Sequence, residues 1–283
     1  MIVRPICVAI LLLALAGCAA PRDQIPKETG LPPATADAPP PAAMAAPEVD
    51  VVALRLALHE AAERGQLHLT YDDVWGALDR TDEDPDNPEN VILLYTGRSH
   101  PKADKDSTAL NAGTPTNQSW NREHVWPRSH GLPDKDDLAH NDLHHLKPVD
   151  RTVNSSRGNK DFDGGGEPHH EAVGGSAARD SFEPRDTAKG DVARMLFYMD
   201  VRYEGAPDGN DLELMDRTTD GERTTLGRLC TLLGWHDLDP VDAFERRRHE
   251  RIIELQGNRN PFIDDPMLAQ ALFGMQCPAP PVS

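Results

Sequence analysis

The sequence is short of positive charge. Its 283 residues carry 29 Lys and Arg against 47 Asp and Glu, for a formal net charge of −18. That balance excludes a broad basic face for nucleic acid, because such a face needs clustered cations. Apolar length is short too: the run Ile6 to Leu15 cannot comfortably cross a bilayer, which takes about 20 residues. Cysteine is sparse, and its four copies are Cys7, Cys18, Cys230 and Cys277. None lies near the His-rich region around His144, and the His-Glu-x-x-His spacing of zinc proteases is missing. What remains is a chain long enough to bury a real core.

Residues 1–18 read as a targeting segment, with Arg4 as a minimal positive start before the short apolar run. Leu15-Ala16-Gly17-Cys18 resembles the bacterial lipobox, which makes Cys18 the lipidated new N-terminus and a membrane the first partner. Ala19, with no Asp at that place, points to outer-membrane sorting. An ordinary signal peptide cleaved near small residues is the alternative. Residues 19–50, rich in Pro and Ala, read as a tether. One folded domain is expected over 51–277, with a tail at 278–283. Cys230 and Cys277 are left as an even pair, compatible with one disulfide outside the cytoplasm or with buried thiols.

The chemistry concentrates between Trp120 and Asp163. The segment Trp120-Asn121-Arg122-Glu123-His124-Val125-Trp126-Pro127-Arg128 is followed by Asp142-Leu143-His144-His145 and then by Val153-Asn154-Ser155-Ser156-Arg157. Glu123 is a hard oxygen ligand suited to Mg²⁺, Ca²⁺ or Mn²⁺, and Asn154 offers a neutral oxygen of the same kind. His124 is its neighbour, so in an extended segment the two side chains point to opposite faces. It suits a general base, with an ordinary pKa of about 6.5. Arg122, Arg128, Arg151 and Arg157 supply forks that fit phosphate oxygens. One metal, one imidazole and several guanidiniums suggest phosphodiester hydrolysis. Asn154 could also cap a helix, and His144 reads as a hydrogen-bonding brace to the site.

These blocks resemble the bacterial endonuclease I family of ββα-metal (His-Me finger) nucleases. The resemblance extends to Leu94–Arg98, Asp191–Met199 and Gln256–Phe262 and covers about Val51 to Gly274. It implies a non-specific, metal-dependent endonuclease acting on DNA and often RNA, with Mg²⁺ as cofactor and Ca²⁺ or Mn²⁺ as alternatives. It further implies His124 as general base and Glu123 and Asn154 as metal ligands. Arg128, Arg157 and Arg122 are the phosphate-binding candidates, and His144 and Asp142 the supporting pair. Two antiparallel strands around Glu123–Trp126 and Leu143–Pro148, then a helix bearing Asn154, are the implied core.

Elsewhere the pattern is helical, giving an α+β, mainly helical single domain, expected as a monomer. Val51, Leu54, Leu58 and Ala61 predict an amphipathic helix ended by Gly65. A second helix follows Thr70, and Asp82 to Asn90 reads as a solvated acidic loop. Val91 to Tyr95 reads as a short strand. Asp161 to Gly166 reads as a flexible loop near substrate, since its EF-hand likeness lacks the remaining ligands. Thr187 is expected to cap a long helix, Thr224 or Thr225 to start another, and Asp239-Pro240 to open a third. Arg246-Arg247-Arg248 is either a phosphate-contacting or a solvated face. Two rivals stand beside the nuclease reading: a non-enzymatic chelator using the His-rich segment, and a catalytically silent adhesion module.

Overall fold

The computed structural model describes residues 49–106, 119–205, 211–219 and 223–277. The targeting segment with Cys18, nearly all of the tether and the tail lie outside the described residues. The architecture is α+β and mainly helical, with small sheets of two to four strands.

Helix α1 (Val51–Glu63) starts where Asp50 accepts a hydrogen bond from the Ala53 amide. Its inward residues run Val51, Leu54, Leu58 and then Ala62 rather than Ala61, since i+4 serves the helical stripe as well as i+3. Helix α2 (Asp73–Thr81) opens on a reciprocal cap: Thr70 Oγ1 accepts from the Asp73 amide and Asp73 Oδ2 from the Thr70 amide. That cap fixes Tyr71 and Trp75 beside the site described below.

The acidic run 82–90 does not begin as a solvated loop. Asp82 is fully buried, 2.5 Å from Lys147 Nζ and 3.0 Å from Arg248 Nε. A buried carboxylate must be paired to be tolerated, and this one draws two cations inward. Arg248 also donates to the Leu143 and Leu146 carbonyls, and Arg247 to that of Glu83. Arg248 is therefore spent inside the fold and Arg247, half-buried, on a backbone carbonyl, so the run 246–248 makes no continuous phosphate-contacting face. The expected strand at 91–95 is realised as β1 (Asn90–Ile92), paired antiparallel with β2 (Ser99–Pro101).

Strand β3 (Trp120–His124) pairs antiparallel with β4 (Leu146–Asp150), Glu123 facing Lys147 and His124 facing Leu146. Helix α3 (Arg151–Arg157) follows β4 directly, and Gly158 ends it at φ +61°, a conformation glycine adopts without strain. The pair lies nearer Trp120 and Asp150 than expected. Pro127 has no amide to donate beyond the strand, and residues 142–145 form a turn in which His145 N bonds Asp142 O.

Helix α4 (Asp186–Arg202) is the centre of the core, with every residue from Val192 to Arg202 buried. It packs against α1 and against α5 (Leu229–Leu238). Truncating Leu196 or Phe197 to Ala should cost about 2–5 kcal/mol. Thr187 does not cap this helix but lies within it at a non-helical ψ of 18°. Thr225 belongs to a short strand, Thr225–Gly227, parallel to Glu213–Met215. Helix α6 (Ala243–Gln256) is capped by Asp242, whose carboxylate accepts from the Glu245 amide, so the start falls after Asp239-Pro240. Asp161 is a buried brace, accepting from Thr219 N, Thr219 Oγ1 and Gly227 N; it forms no flexible loop at the cleft. Helices α7 (Pro261–Asp264) and α8 (Met267–Phe273) follow. Cys230 and Cys277 form a disulfide, which settles the alternatives left by their spacing.

Candidate active site

A cleft of about 780 Å³ lies along β3. Asn121 and Glu123 reach it from one face of the strand, Arg122 and His124 from the other. Side chains of a strand alternate between faces, so the cleft must run along the strand's edge rather than over one surface. This is how Glu123 and His124, neighbours in sequence, come to line one space. Tyr71 and Trp75 form one wall, and Asn154 and Gly158 of the α3 region another.

Glu123 is 2 % exposed, and its two oxygens have different duties. Oε1 accepts from the Tyr95 hydroxyl at 2.7 Å and from Arg157 Nη1 at 3.0 Å. Oε2 has no such bond among the described residues, and it is not among the sealed, unpaired polar atoms. Burial pushes the carboxyl pKa up, against the pull of Arg157 and Tyr95. A cation at Oε2 would offset that desolvation.

His124 is 6 % exposed, and its Nε2 lies 3.0 Å from the His140 carbonyl oxygen. A carbonyl can only accept, so Nε2 carries the proton and Nδ1 is the ring's lone-pair nitrogen. Burial, then the neighbouring His145 and His140 rings and Arg128, hold the imidazole well below its ordinary pKa. The ring is neutral near pH 7 and able to take a proton.

Asn154, on the middle turn of α3, donates from Nδ2 to Asn121 Oδ1 at 2.7 Å. Its carboxamide oxygen is left for the cleft. Glu123 and Asn154 thus offer two hard oxygens to one space. That donor set suits a cation that keeps most of its waters, as Mg²⁺ does. It does not suit a chelated transition metal. Among the described residues, no three His, Cys, Asp or Glu side chains gather as a metal-holding group. His140, His144 and His145 each place one ring nitrogen on a backbone carbonyl.

The arginines separate. Arg128 is exposed at the cleft, with no ion pair among the described residues. The Arg122 guanidinium lies 3.4 Å from the Tyr71 ring centre and 4.2 Å from that of Trp75, and Nη1 donates to the Tyr71 carbonyl. Stacking of this kind fixes the cation without neutralising it. Arg151 pairs with Asp106 at 3.1 Å. Arg157 is fully buried, its Nη1 also bonding the His124 carbonyl and its Nη2 that of Val125. A guanidinium so enclosed cannot meet a phosphate; it ties residues 123–125 to α3.

Asp142 and His144 lie outside the cleft lining and act as braces. Asp142 accepts from Tyr198 and Tyr203 hydroxyls at 2.7 and 2.8 Å and from Gln66 and Gln256 at 2.8 Å each. One carboxylate thereby joins α4, α6 and the chain after α1. His144 packs 4.4 Å from the Tyr198 ring, with Nε2 3.3 Å from the Asn258 carbonyl. Tyr95, Asn121 and the His140 carbonyl also hold the site residues. In sequence, Asn121 had a signal in its two-residue spacing from Glu123.

A sequence description of the family Endonuclease I matches residues 52–267. An extracellular ribonuclease of Bacillus amyloliquefaciens is 51% identical over 222 residues, covering 78% of this chain and 74% of that protein. An extracellular ribonuclease of Bacillus subtilis (strain 168) is 50% identical over 221 residues, with the same coverage. An extracellular deoxyribonuclease of Aeromonas hydrophila is 28% identical over 139 residues, 47% of this chain and 54% of its own. With a cleft that gathers Glu123, His124 and Asn154, and a match spanning nearly all the described residues, the chain belongs to the Endonuclease I family.

Proposed function

We propose that this protein is a metal-dependent, non-specific endonuclease that hydrolyses phosphodiester bonds of DNA and RNA. The observation that carries it is the joint exposure to one cleft of a neutral imidazole, a carboxylate oxygen and a carboxamide oxygen. The order β3, β4, α3 that presents them is read as the ββα-metal core. Relatives named as ribonucleases and as a deoxyribonuclease support both nucleic acids as substrates.

His124 Nδ1 takes the proton of the attacking water, while Nε2–H, held by the His140 carbonyl, keeps the ring in that tautomer. Glu123 and Asn154 would hold a single divalent cation, Mg²⁺ in the first instance with Ca²⁺ or Mn²⁺ as substitutes. Such an ion would supply stabilisation of charge developing on the phosphate and the leaving oxygen. Arg128 and the stacked Arg122 hold phosphate oxygens along the cleft. The mature chain begins at a lipid-bearing Cys18 and is held at the outer membrane, with 19–50 as its tether and the domain acting as a monomer. The relatives' description as extracellular suits display outside the cytoplasm. No helix among the described residues is long and apolar enough to cross a membrane.

A supercoiled-plasmid nicking assay tests the activity. Nicking in Mg²⁺, its loss in EDTA and its return on adding excess Mg²⁺ are expected. Cleavage that persists undiminished in EDTA, or that no divalent cation supports, refutes the reading.

A further inference from the structure

We infer that Asn121 is the positioning residue that aims the Asn154 carboxamide oxygen at the cation. The inference rests on the reading of Glu123 and Asn154 as the ligands. Asn121 and Glu123 stand two apart on β3 and so share one face of the strand. Asn121 pairs with Val149, two residues before α3 begins at Arg151. Helix α3 is therefore launched beside that face, and Asn154 meets Asn121 at 2.7 Å.

A carboxamide has one oxygen and one nitrogen at nearly the same distance from its backbone, so its polarity must be set by a partner. With Nδ2 of Asn154 donating to Asn121 Oδ1, its oxygen is turned to the other side. The reversed amide would present an NH₂ group to the cation, which repels it. A free Asn154 would spend part of its time reversed and would give up rotamer freedom on binding. Asn121 removes both costs before the ion arrives.

Glu123 is set in the same manner by different means. Tyr95 and Arg157 both bond its Oε1, which leaves Oε2 as the oxygen free to ligate. Each ligand thus has one side tied back and one side offered. A supporting shell that holds its ligands in this way commonly tunes metal affinity.

The test is a Mg²⁺ titration by calorimetry on the full-length protein and its variants, with a metal-free thermal melt to confirm that each is folded. Asn121→Ala should weaken Mg²⁺ binding by about 2- to 10-fold, the range for losing one net hydrogen bond. In an Asn154→Ala background the same change should do nothing further, because the amide it aims is gone. Asn121→Asp can only accept, so it should hold the amide as Asn121 does, with Mg²⁺ affinity kept or raised. That gain should shrink once Asn154 is Ala; a gain of full size there would be the added charge acting alone.

The outcomes divide cleanly. Asn121→Ala with unchanged affinity, beside an Asn154→Ala that binds weakly, overturns the positioning role and leaves the metal site standing. Equal weakening by Asn121→Ala in both backgrounds overturns it too, since Asn121 would then act on the ion directly. Loss of affinity in Asn121→Asp shows that Asn121 donates rather than accepts. If Asn154→Ala binds Mg²⁺ as the parent does, the ligand assignment falls and the positioning role falls with it.

Discussion

Arg157 donates from Nη1 to Glu123 Oε1 at 3.0 Å, the guanidinium wholly buried and the carboxylate nearly so. The same guanidinium holds the His124 and Val125 carbonyls, so one side chain fixes three consecutive residues, two of which line the cleft. Its buried charge is matched to a buried charge. Removing one partner of such a pair leaves the other uncompensated, at a cost of about 3–5 kcal/mol. Arg157→Ala should therefore lower the urea midpoint sharply and lose activity through misplacement of Glu123 and His124. Lys at the same place should rescue little, because a single ammonium cannot bridge a carboxylate and two carbonyls. Unfolding curves of the two variants decide it, and a parent-like midpoint for Arg157→Ala would return this arginine to the phosphate-binding set.

Arg128 should behave in the opposite way. It is exposed and has no ion pair among the described residues, so Arg128→Ala should leave stability within about 0.5 kcal/mol. If it grips phosphate, KM should rise on both DNA and RNA. Steady-state kinetics beside a melt would separate these effects; an unchanged kcat/KM removes Arg128 from the substrate contacts.

His124 and Glu123 should fail differently. His124→Ala removes the proton acceptor but no ligand oxygen, so Mg²⁺ binding should survive while single-turnover cleavage falls by at least ~10²-fold. Glu123→Ala removes the charged oxygen assigned to the ion and should lose Mg²⁺ affinity and cleavage together. Calorimetry on both variants, paired with cleavage rates, reads this directly. Binding lost in His124→Ala but kept in Glu123→Ala would reverse the two roles.

The residues that do chemistry were legible in the chain because carboxylate, imidazole and carboxamide announce themselves by type. Glu123, His124 and Asn154 reach one cleft as the sequence blocks imply. Charge alone did not reveal which arginines face out. Arg157, Arg247 and Arg248 look like phosphate forks in sequence, and each is drawn inward by acceptors distant in the chain. Asp82 shows the converse, a residue in an acidic loop that becomes the buried partner of two cations. Helix α4 was found by its apolar stripe, yet that stripe covers only one side of a helix buried all round over 192–202. Pairings across a hundred residues, such as His144 with Asn258, leave no local period to read.

The cleft's near-neutral lining sets the salt response. Arg122 and Arg128 are its cations, opposed by Asp106 and Glu123, in a chain of formal net charge −18. Each phosphate neutralised contributes about 0.7–0.9 to the slope of log K against log salt. Two contacts give a slope of about −1.4 to −1.8. Binding isotherms of an uncleavable oligonucleotide over a range of NaCl would measure it. A slope of about −5 or steeper would reveal a basic groove that these residues do not make.

The buried His144 and His145 should make their contribution to stability sensitive to acid from near pH 6.5, well above the usual carboxylate range. Burial lowers the pKa of His144 to about 3 and that of His145 to about 4, from the ordinary 6.5. Between those values and 6.5 the unfolded chain binds protons that the folded chain refuses, so stability falls as pH falls. Each such group contributes up to about 1.4 kcal/mol per pH unit within its window. Asp200 opposes them: burial raises its pKa to about 6, so below pH 6 the folded state takes a proton before the unfolded state does. Glu245, whose carboxyl burial pushes up to about 8, opposes them in the same way, so the His144 part of the acid limb is read from the difference between parent and His144→Gln. His144→Gln cannot titrate, and it should flatten that limb by about one proton while lowering stability modestly at pH 7.5. Urea unfolding at half-unit steps from pH 7.5 to 4.5, on parent and variant, supplies both slopes. Parallel curves for the two proteins would mean that His144 is not held neutral in the fold.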